Sequence, residues 1–207
     1  MPFLKTITFS PISISFWRID EREDEMLLIL PPDKKYAETA ARFRSARRRK
    51  EWLATRCLLH HLLGTEAELT YLPSGKPQLS HDINADFEIS VSHSSEWAAL
   101  ALAPKGREIG LDVECFGERA YKLRHRFLSN DELPLANNEQ QACLMWCAKE
   151  AVYKLCDTAG LRFLEDMKLQ KESGQLYIEL PTLKKRAIIH SHIEEKHGIA
   201  FALFSSE

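Results

Sequence analysis

Two long helical stretches, each accompanied by several short strand segments, constrain the fold of this chain most. Periodic apolar residues predict one helix over Lys35–Leu63, closed by Gly64, and another over Glu139–Asp157. A shorter helix is predicted over Ala120–Phe127. Strands are predicted over 12–19, 69–72, 87–91, 97–103, 109–113, 167–169, 176–180, 187–190 and 199–204. Each half of the chain therefore combines a long helix with several short strands.

The repeated plan predicts two lobes of similar construction. A chain of 207 residues can form one large domain or two compact lobes. A turn near Pro104 separates the halves, which predicts an N-terminal lobe over 1–103 and a C-terminal lobe over 104–207. An apolar content of 44% with 28% charged residues argues against disorder, and a net charge of −2 provides no overall attraction to nucleic acid.

The cysteines and the N-terminal segment indicate a cytoplasmic protein. The five cysteines are scattered and form no CxxC pair, which is typical of reduced thiols rather than a zinc site or a disulfide framework. The apolar run Met26–Leu30 is too short to span a bilayer and is followed by two prolines. We therefore expect no membrane segment.

Two acidic residues in "IGLDVECF" (Ile109–Phe116) predict a metal site. Side chains two apart in a strand share a face, so Asp112 and Glu114 point one way while Leu111 and Val113 point into a core. The two neighbouring carboxylates repel each other, and a hard divalent cation such as Mg²⁺ would relieve that repulsion. The alternative is an ordinary acidic pair at the surface end of a strand.

A third carboxylate is available in "WCAKEAVYKL" (Trp146–Leu155). Glu150 interrupts an apolar helical stretch, and Lys154 lies four residues later on the same face, with Lys149 on a neighbouring stripe. Carboxylates with adjacent lysines fit a metal-bound pyrophosphate better than a metal alone, because the lysines would neutralise phosphate charge. Alternatively, Glu150 and Lys154 form a common surface ion pair of small energy.

Three other stretches could hold phosphate groups. The first is "SVSHS" (Ser90–Ser94), predicted as a loop, in which Ser92 and His93 offer a hydroxyl and an imidazole. The turn "SGKPQL" offers Lys76. The basic stretch "RFRSARRRK" (Arg42–Lys50) is either a solvated face, a phosphate clamp that uses one or two arginines, or an RNA-binding surface. RNA binding would need aromatic side chains beside the arginines, and Trp52 alone is thin support.

Taken together, these motifs resemble the 4′-phosphopantetheinyl transferases, in particular the larger, two-lobed, surfactin-synthetase-activating type. The matching segments follow in order as "SGKPQL", "SVSHS", "GLDVE" and "WCAKEAVYK", and "EWLATR" (Glu51–Arg56) extends a looser likeness upstream. The resemblance implies an α+β fold of two pseudo-twofold-related α/β lobes, each a long helix packed on a small, mainly antiparallel sheet. It also implies that coenzyme A lies in a cleft between the lobes.

The activity implied by this resemblance is transfer of the 4′-phosphopantetheine arm of coenzyme A to a serine of an apo acyl or peptidyl carrier protein. The reaction would depend on Mg²⁺ and release adenosine 3′,5′-bisphosphate. By the same resemblance, Mg²⁺ would be held by three carboxylates and coenzyme A by five side chains. The metal ligands would be Asp112, Glu114 and Glu150, and the coenzyme A contacts Arg47, Lys76, Ser92, His93 and Lys154.

Within this set, Lys154 would contact the pyrophosphate, Ser92 and His93 its phosphate oxygens, and Lys76 and Arg47 the adenosine end with its 3′-phosphate. Glu150 and Lys154 would be the catalytic residues, with Glu150 as candidate general base for the serine proton. After the lysine, members of this family often have a small residue and a nearby glycine, whereas this chain has "KLCDTAGL". That departure concerns the loop behind the site and not its ligands.

The carrier protein would meet a basic segment that follows the metal strand. Carrier proteins of this kind are typically acidic around the modified serine, so Lys122, Arg124 and Arg126 could steer the partner while Leu123 or Phe127 packs on it. The alternative is a surface helix whose Leu123 and Phe127 face the core. The competing function is a non-catalytic module that binds coenzyme A or a carrier protein. In either case we expect a monomer with no nucleic-acid or membrane partner.

Overall fold

The computed structural model describes residues 2–80 and 86–205, which form two compact units. Unit 1 comprises Met1–Leu72 and Pro77–Gly106, and unit 2 comprises Pro73–Lys76 and Arg107–Glu207. The turn that carries Lys76 thus belongs to unit 2 although its flanking residues belong to unit 1. The predicted lobe boundary between residues 103 and 104 stays a prediction.

Unit 1 packs one long helix on an antiparallel sheet. In chain order its elements are β1 (Phe3–Phe9), β2 (Ile12–Arg18), α1 (Glu23–Ile29), α2 (Tyr36–Ala40), α3 (Ala46–Leu63), β3 (Leu69–Tyr71), β4 (Pro77–Leu79), β5 (Phe87–His93) and β6 (Trp97–Pro104). The main sheet has the strand order β1-β2-β6-β5, and β3 pairs with β4 in a separate hairpin. The core lies between α3 and the sheet, where Leu53, Leu58 and Leu100 are buried.

The predicted single helix over Lys35–Leu63 is wrong, because the chain turns between α2 and α3. Ser45 has an extended backbone, and its hydroxyl accepts a hydrogen bond from the Arg48 amide at 3.4 Å, so a new helix starts at Ala46. The predicted end is correct, since α3 stops at Leu63 before Gly64, whose φ of 85° lies in the left-handed region. The break places Arg47 and Arg48 in the first turn of α3.

Unit 2 repeats the combination of one long helix and one antiparallel sheet. Its elements are β7 (Gly110–Cys115), α4 (Glu118–Leu123), α5 (Glu139–Cys156), β8 (Lys168–Glu172), β9 (Gln175–Leu180), β10 (Lys185–Glu194) and β11 (His197–Phe204). The sheet order is β7-β11-β10-β9-β8. Asn138 caps α5 by accepting a hydrogen bond from the Gln141 amide at 2.9 Å. The buried face of α5, which includes Cys147, Ala151 and Val152, covers the sheet.

A glycine brings β7 against α5. A Cβ atom added at Gly110 would lie 1.9 Å from the carbonyl oxygen of Ala151, a separation that no side chain tolerates. Gly110, Asp112 and Glu114 share one strand face because side chains alternate along β7. The absence of a side chain at Gly110 therefore allows the face that carries both acids to approach α5.

The α+β class, with antiparallel sheets and packed helices, is confirmed. The pseudo-twofold relation between the lobes stays a prediction. One local prediction is wrong, since Ser92 and His93 belong to β5 and not to a loop. Three elements, β1, α1 and β4, were not anticipated, and residues 26–29 of the apolar run Met26–Leu30 lie in α1. Among the described residues, no helix combines the length and apolarity needed to cross a membrane.

Candidate functional site

The acidic residues of β7 meet the polar face of α5. Lys154 of α5 donates hydrogen bonds from Nζ to Asp112 Oδ1 at 2.8 Å and to the Leu111 carbonyl at 2.9 Å. Asp112 is buried, and Glu114 and Glu150 are half-buried. One helical turn before Lys154, Glu150 lies close enough to Asp112 for their charges to interact. The structure therefore brings the four residues together, with the two of β7 on one strand face and the two of α5 on one helix face.

The electrostatics of this acidic cluster are unbalanced. Burial, with the charges of Asp112 and Glu150, raises the pKa of Glu114 to about 7, although Lys154 and Arg119 oppose the shift. Burial and Asp112 also raise the pKa of Glu150. Three carboxylates face one closely paired ammonium, so the cluster carries excess negative charge when ionised. A divalent cation would relieve that excess.

The donor set of the cluster fits Mg²⁺, which prefers carboxylate oxygens and keeps several waters. The three carboxylates do not place one oxygen each within 4.8 Å of one another, and Asp112 Oδ1 is turned toward Lys154. The fit to Mg²⁺ therefore rests on the oxygen donors of the cluster and on its excess negative charge.

We expect Glu114→Gln to stabilise the metal-free protein at pH 8 by about 1–2 kcal/mol, after allowance for solvent screening of a half-buried group. Below about pH 4.5 the carboxyl is protonated in both folded and unfolded chains and contributes nothing. As the pH rises from 4.5 to 7, only the unfolded chain readily loses the proton, so stability falls. Urea unfolding in EDTA at pH 5 and pH 8 measures the difference. An equal effect of the substitution at both pH values would contradict the shift.

Lys149 does not belong to the acidic cluster, so the expectation that it neutralises phosphate is wrong. Its side chain is fully buried and donates from Nζ to Glu132 Oε2 at 2.7 Å, to the Phe163 carbonyl at 2.8 Å and to the Met167 carbonyl at 3.2 Å. Glu132 is buried as well. Lys149 therefore ties two loops of unit 2 to α5, one residue before Glu150.

A second cluster of charged groups lies in unit 1 around Glu51, which is buried on α3. Glu51 Oε1 accepts from Arg47 Nε at 2.7 Å, and Oε2 lies 3.3 Å from Arg48 Nη1 and 3.5 Å from His93 Nδ1. Arg48 Nη1 also contacts His93 Nε2. Sequence reasoning selected Arg47 and His93 but missed Arg48 and Glu51. The i,i+3 and i,i+4 spacing of Glu51 from the two arginines was the available indication.

The remaining predicted coenzyme A residues have different surroundings. Ser92 is buried in β5, next to His93. Lys76 pairs through Nζ with Glu108 Oε1 at 3.2 Å, within unit 2. Arg47, Ser92 and His93 thus belong to unit 1, whereas Lys76 and Lys154 belong to unit 2.

An apolar cavity of about 220 Å³ adjoins Glu114 in unit 2. It is lined by Glu114, Cys115, Gly117, Arg119, Ala120, Leu123, Phe127, Cys143 and Trp146. The prediction that Phe127 packs on a partner is wrong, because Phe127 is buried and its ring lies 5.1 Å from that of Trp146. Lys122 and Arg126 are exposed, while Arg124 folds over the Tyr121 ring at 3.9 Å.

The residues of the acidic cluster fall within a segment that matches a known family. Residues 108–202 match the family model of the 4′-phosphopantetheinyl transferase superfamily. More particularly, the chain is similar to the 4′-phosphopantetheinyl transferase AcpT of Escherichia coli K12, with 34% identity over 118 residues. The alignment covers 52% of this chain and 57% of AcpT, and AcpT of E. coli O157:H7 gives the same values.

The chain therefore spans less than two thirds of the length of these relatives. Among solved structures, it is similar to the Helicobacter pylori holo-[acyl-carrier-protein] synthase in complex with coenzyme A, at 23% identity and a TM-score of 0.41. That comparison covers 47% of this chain and 99% of the synthase chain.

Proposed function

We propose that this protein is a 4′-phosphopantetheinyl transferase of the larger, two-lobed type. It would transfer the phosphopantetheine arm of coenzyme A to a serine of an acyl or peptidyl carrier protein. The observation that carries the proposal is the meeting of Asp112, Glu114 and Glu150 with Lys154 on β7 and α5. These four residues lie inside the segment that matches the transferase superfamily.

Asp112, Glu114 and Glu150 would hold Mg²⁺, which fits their oxygen donors and their excess negative charge. When bound, the ion would neutralise charge on the pyrophosphate and on the leaving nucleotide. Lys154 would contribute a further positive charge from Nζ. Its ammonium already lies against Asp112, so it is held at the same edge of β7 as the carboxylates.

In the reaction, the carrier serine oxygen forms a bond to the β-phosphorus, which bears the pantetheine arm. The bond from that phosphorus to the bridging oxygen breaks, and adenosine 3′,5′-bisphosphate leaves with the electron pair. Glu150 is positioned on α5 beside Asp112 and would accept the serine proton. The side chains thus supply orientation, charge and a proton acceptor, the contributions that phosphoryl transfer requires.

Arg47 of unit 1 and Lys76 of unit 2 would contact the adenosine end with its 3′-phosphate, and Ser92 and His93 of unit 1 would contact phosphate oxygens. Glu51 holds the Arg47, Arg48 and His93 side chains in one cluster, so their donors are ordered before a ligand arrives. Ser92 and Lys76 complete the proposed set, with Lys76 restrained by Glu108. We also propose that the enzyme is monomeric and cytoplasmic.

The carrier protein would dock on the exposed basic residues around α4. Lys122 and Arg126 are exposed and could attract an acidic partner, although Lys122 pairs with Glu118, and half-buried Leu123 lines the apolar cavity beside Glu114. Phe127 is excluded from this contact by its burial.

The decisive experiment is incubation of the protein with coenzyme A, Mg²⁺ and an apo carrier protein, followed by intact-mass analysis. We expect the carrier to gain the mass of one phosphopantetheine arm, and a carrier whose acceptor serine is replaced by alanine to gain none. EDTA should abolish the gain. Binding of coenzyme A without any transfer to a panel of acyl and peptidyl carriers would contradict the proposal and indicate a binding module.

A further inference from the structure

Unit 1 contains a second cavity, of about 220 Å³, beneath the middle of α3. Its lining consists of Lys34, Tyr36, Thr39, Trp52, Arg56, Glu68 and Leu69. Pockets for drug-sized ligands typically measure about 300–1,000 Å³, so this one suits a small ligand or a single group of a larger ligand. None of its residues belongs to the Glu51 cluster, and Arg56 lies two turns beyond Arg48, about 12 Å along the helix axis.

Arg56 is the unusual residue of this pocket, because its guanidinium is buried without a counter-charge. Only 6% of the residue is exposed, and the guanidinium stacks over the Trp52 ring at 3.9 Å. Nη1 donates to the Trp52 carbonyl at 3.5 Å and Nη2 to the Tyr71 hydroxyl at 2.9 Å. Those bonds use two of the five N–H groups of arginine. Within residues 2–80 and 86–205, no carboxylate forms an ion pair with Arg56.

Other charged groups of the pocket do not supply the missing negative charge. Lys34 pairs with Glu68 at 3.0 Å, so these two cancel and the lining keeps the single positive charge of Arg56. Arg48 adds positive potential at Arg56. Burial lowers the pKa of Arg56, because desolvation disfavours the charged guanidinium. An uncompensated buried charge is costly, and an anionic ligand would offset that cost.

The pocket also offers acceptor oxygens. His60 Nδ1 lies 3.0 Å from the Gly64 carbonyl, so it carries the proton and Nε2 accepts from the Tyr36 hydroxyl at 2.7 Å. Burial lowers the pKa of His60, which keeps the ring neutral at pH 7. The Thr39 hydroxyl donates to the Lys35 carbonyl at 3.3 Å. Tyr36 and Thr39 therefore present lone pairs, while Arg56 and Lys34 present N–H donors.

We propose that this pocket binds a phosphate group, with Arg56 and Lys34 donating to its charged oxygens and the Tyr36 and Thr39 hydroxyls accepting from its P–OH groups. A phosphate monoanion matches the single unbalanced charge and supplies both acceptors and a donor. Arginine suits such a group because its planar fork of N–H donors engages two oxygens at once. The phosphate is either inorganic or part of a nucleotide.

The test follows Trp52, whose ring lies directly under the guanidinium. The protein has four tryptophans, so 5-fluorotryptophan labelling gives a simple ¹⁹F NMR spectrum, and Trp52→Phe assigns the relevant resonance. Inorganic phosphate should shift the Trp52 resonance saturably, whereas chloride and acetate at equal ionic strength should not. Arg56→Met and, separately, Lys34→Met should each weaken the apparent affinity by about tenfold or more.

Two matched variants locate the ion. Arg44 is exposed, and Arg44→Ala should leave the titration unchanged, as should Arg47→Ala in the Glu51 cluster. Competition with adenosine 3′,5′-bisphosphate distinguishes inorganic phosphate from a nucleotide phosphate. If this nucleotide displaces inorganic phosphate, as reported by the Trp52 resonance, the occupant is a nucleotide phosphate. The proposal is overturned if phosphate causes no saturable shift of the Trp52 resonance. It is also overturned if Lys34→Met leaves that shift as intact as Arg44→Ala does. Loss of the shift in Arg47→Ala would also overturn the proposal, because the ion would then bind to the basic side chains of the Glu51 cluster.

Discussion

Asp112→Ala and Glu150→Ala should each lower the rate of phosphopantetheine transfer by at least about 10²–10³-fold, with the fold retained. Removal of one preorganised electrostatic group from a site of this kind commonly has that effect. Asp112 is buried and holds Lys154, so its loss removes a carboxylate and frees the lysine ammonium. Glu150 faces Asp112 from α5 and would be both a metal ligand and the proton acceptor.

The rate should be measured with a saturating apo carrier by intact mass, together with circular dichroism to confirm folding. Glu139→Ala is the matched control, because Glu139 is an exposed acid in the first turn of the same helix. Titration with Mn²⁺ in place of Mg²⁺, followed by electron paramagnetic resonance, reports metal affinity independently of turnover. Full transfer activity in both cluster variants would show that the metal assignment is wrong.

The residues of the acidic cluster could be predicted because each half of the cluster obeys a local period. A two-residue repeat places Asp112 and Glu114 on one strand face, and a four-residue step places Glu150 and Lys154 on one helix face. Such periods are properties of single elements and need no knowledge of the fold. What brings the two elements together is Gly110, whose role depends on contact with Ala151, 41 positions away in the chain.

Features that depend on distant partners could not be predicted. Local periodicity predicted one helix through residues 41–45 of unit 1, since the sequence contains no proline or glycine there. The new helix instead starts after Ser45, whose capping depends on a single side-chain hydrogen bond that periodicity does not reveal. Likewise, Lys149 and Lys154 look equivalent in sequence. Only the fold shows that Lys154 meets Asp112 while Lys149 meets Glu132, which precedes it by 17 residues.

Lys149→Met should destabilise the protein by about 3–5 kcal/mol, the second large effect that we expect. Removal of one partner from a buried ion pair leaves the other charge without compensation. Glu132 would keep its hydrogen bonds from the Leu169 amide at 2.6 Å and the Ser129 amide at 2.9 Å but would lose its only described cation. The Phe163 and Met167 carbonyls would also lose their donor, so the loop between α5 and β8 should loosen.

The free energy of unfolding from urea denaturation gives the measurement, and a second substitution identifies the cause. Addition of Glu132→Gln to Lys149→Met should recover part of the loss, because glutamine removes the stranded charge yet keeps an acceptor oxygen. Lys168→Met is the control, since Lys168 is exposed and its described side-chain bond goes to the Leu164 carbonyl, and it should change stability by no more than about 0.5 kcal/mol. If Lys149→Met were as mild as this control, the pair would not hold the loops. Because Lys149 immediately precedes Glu150, a loosened α5 should also lower the transfer rate. A lysine that only contacted phosphate would behave differently, since its loss would lower the rate without lowering the free energy of unfolding.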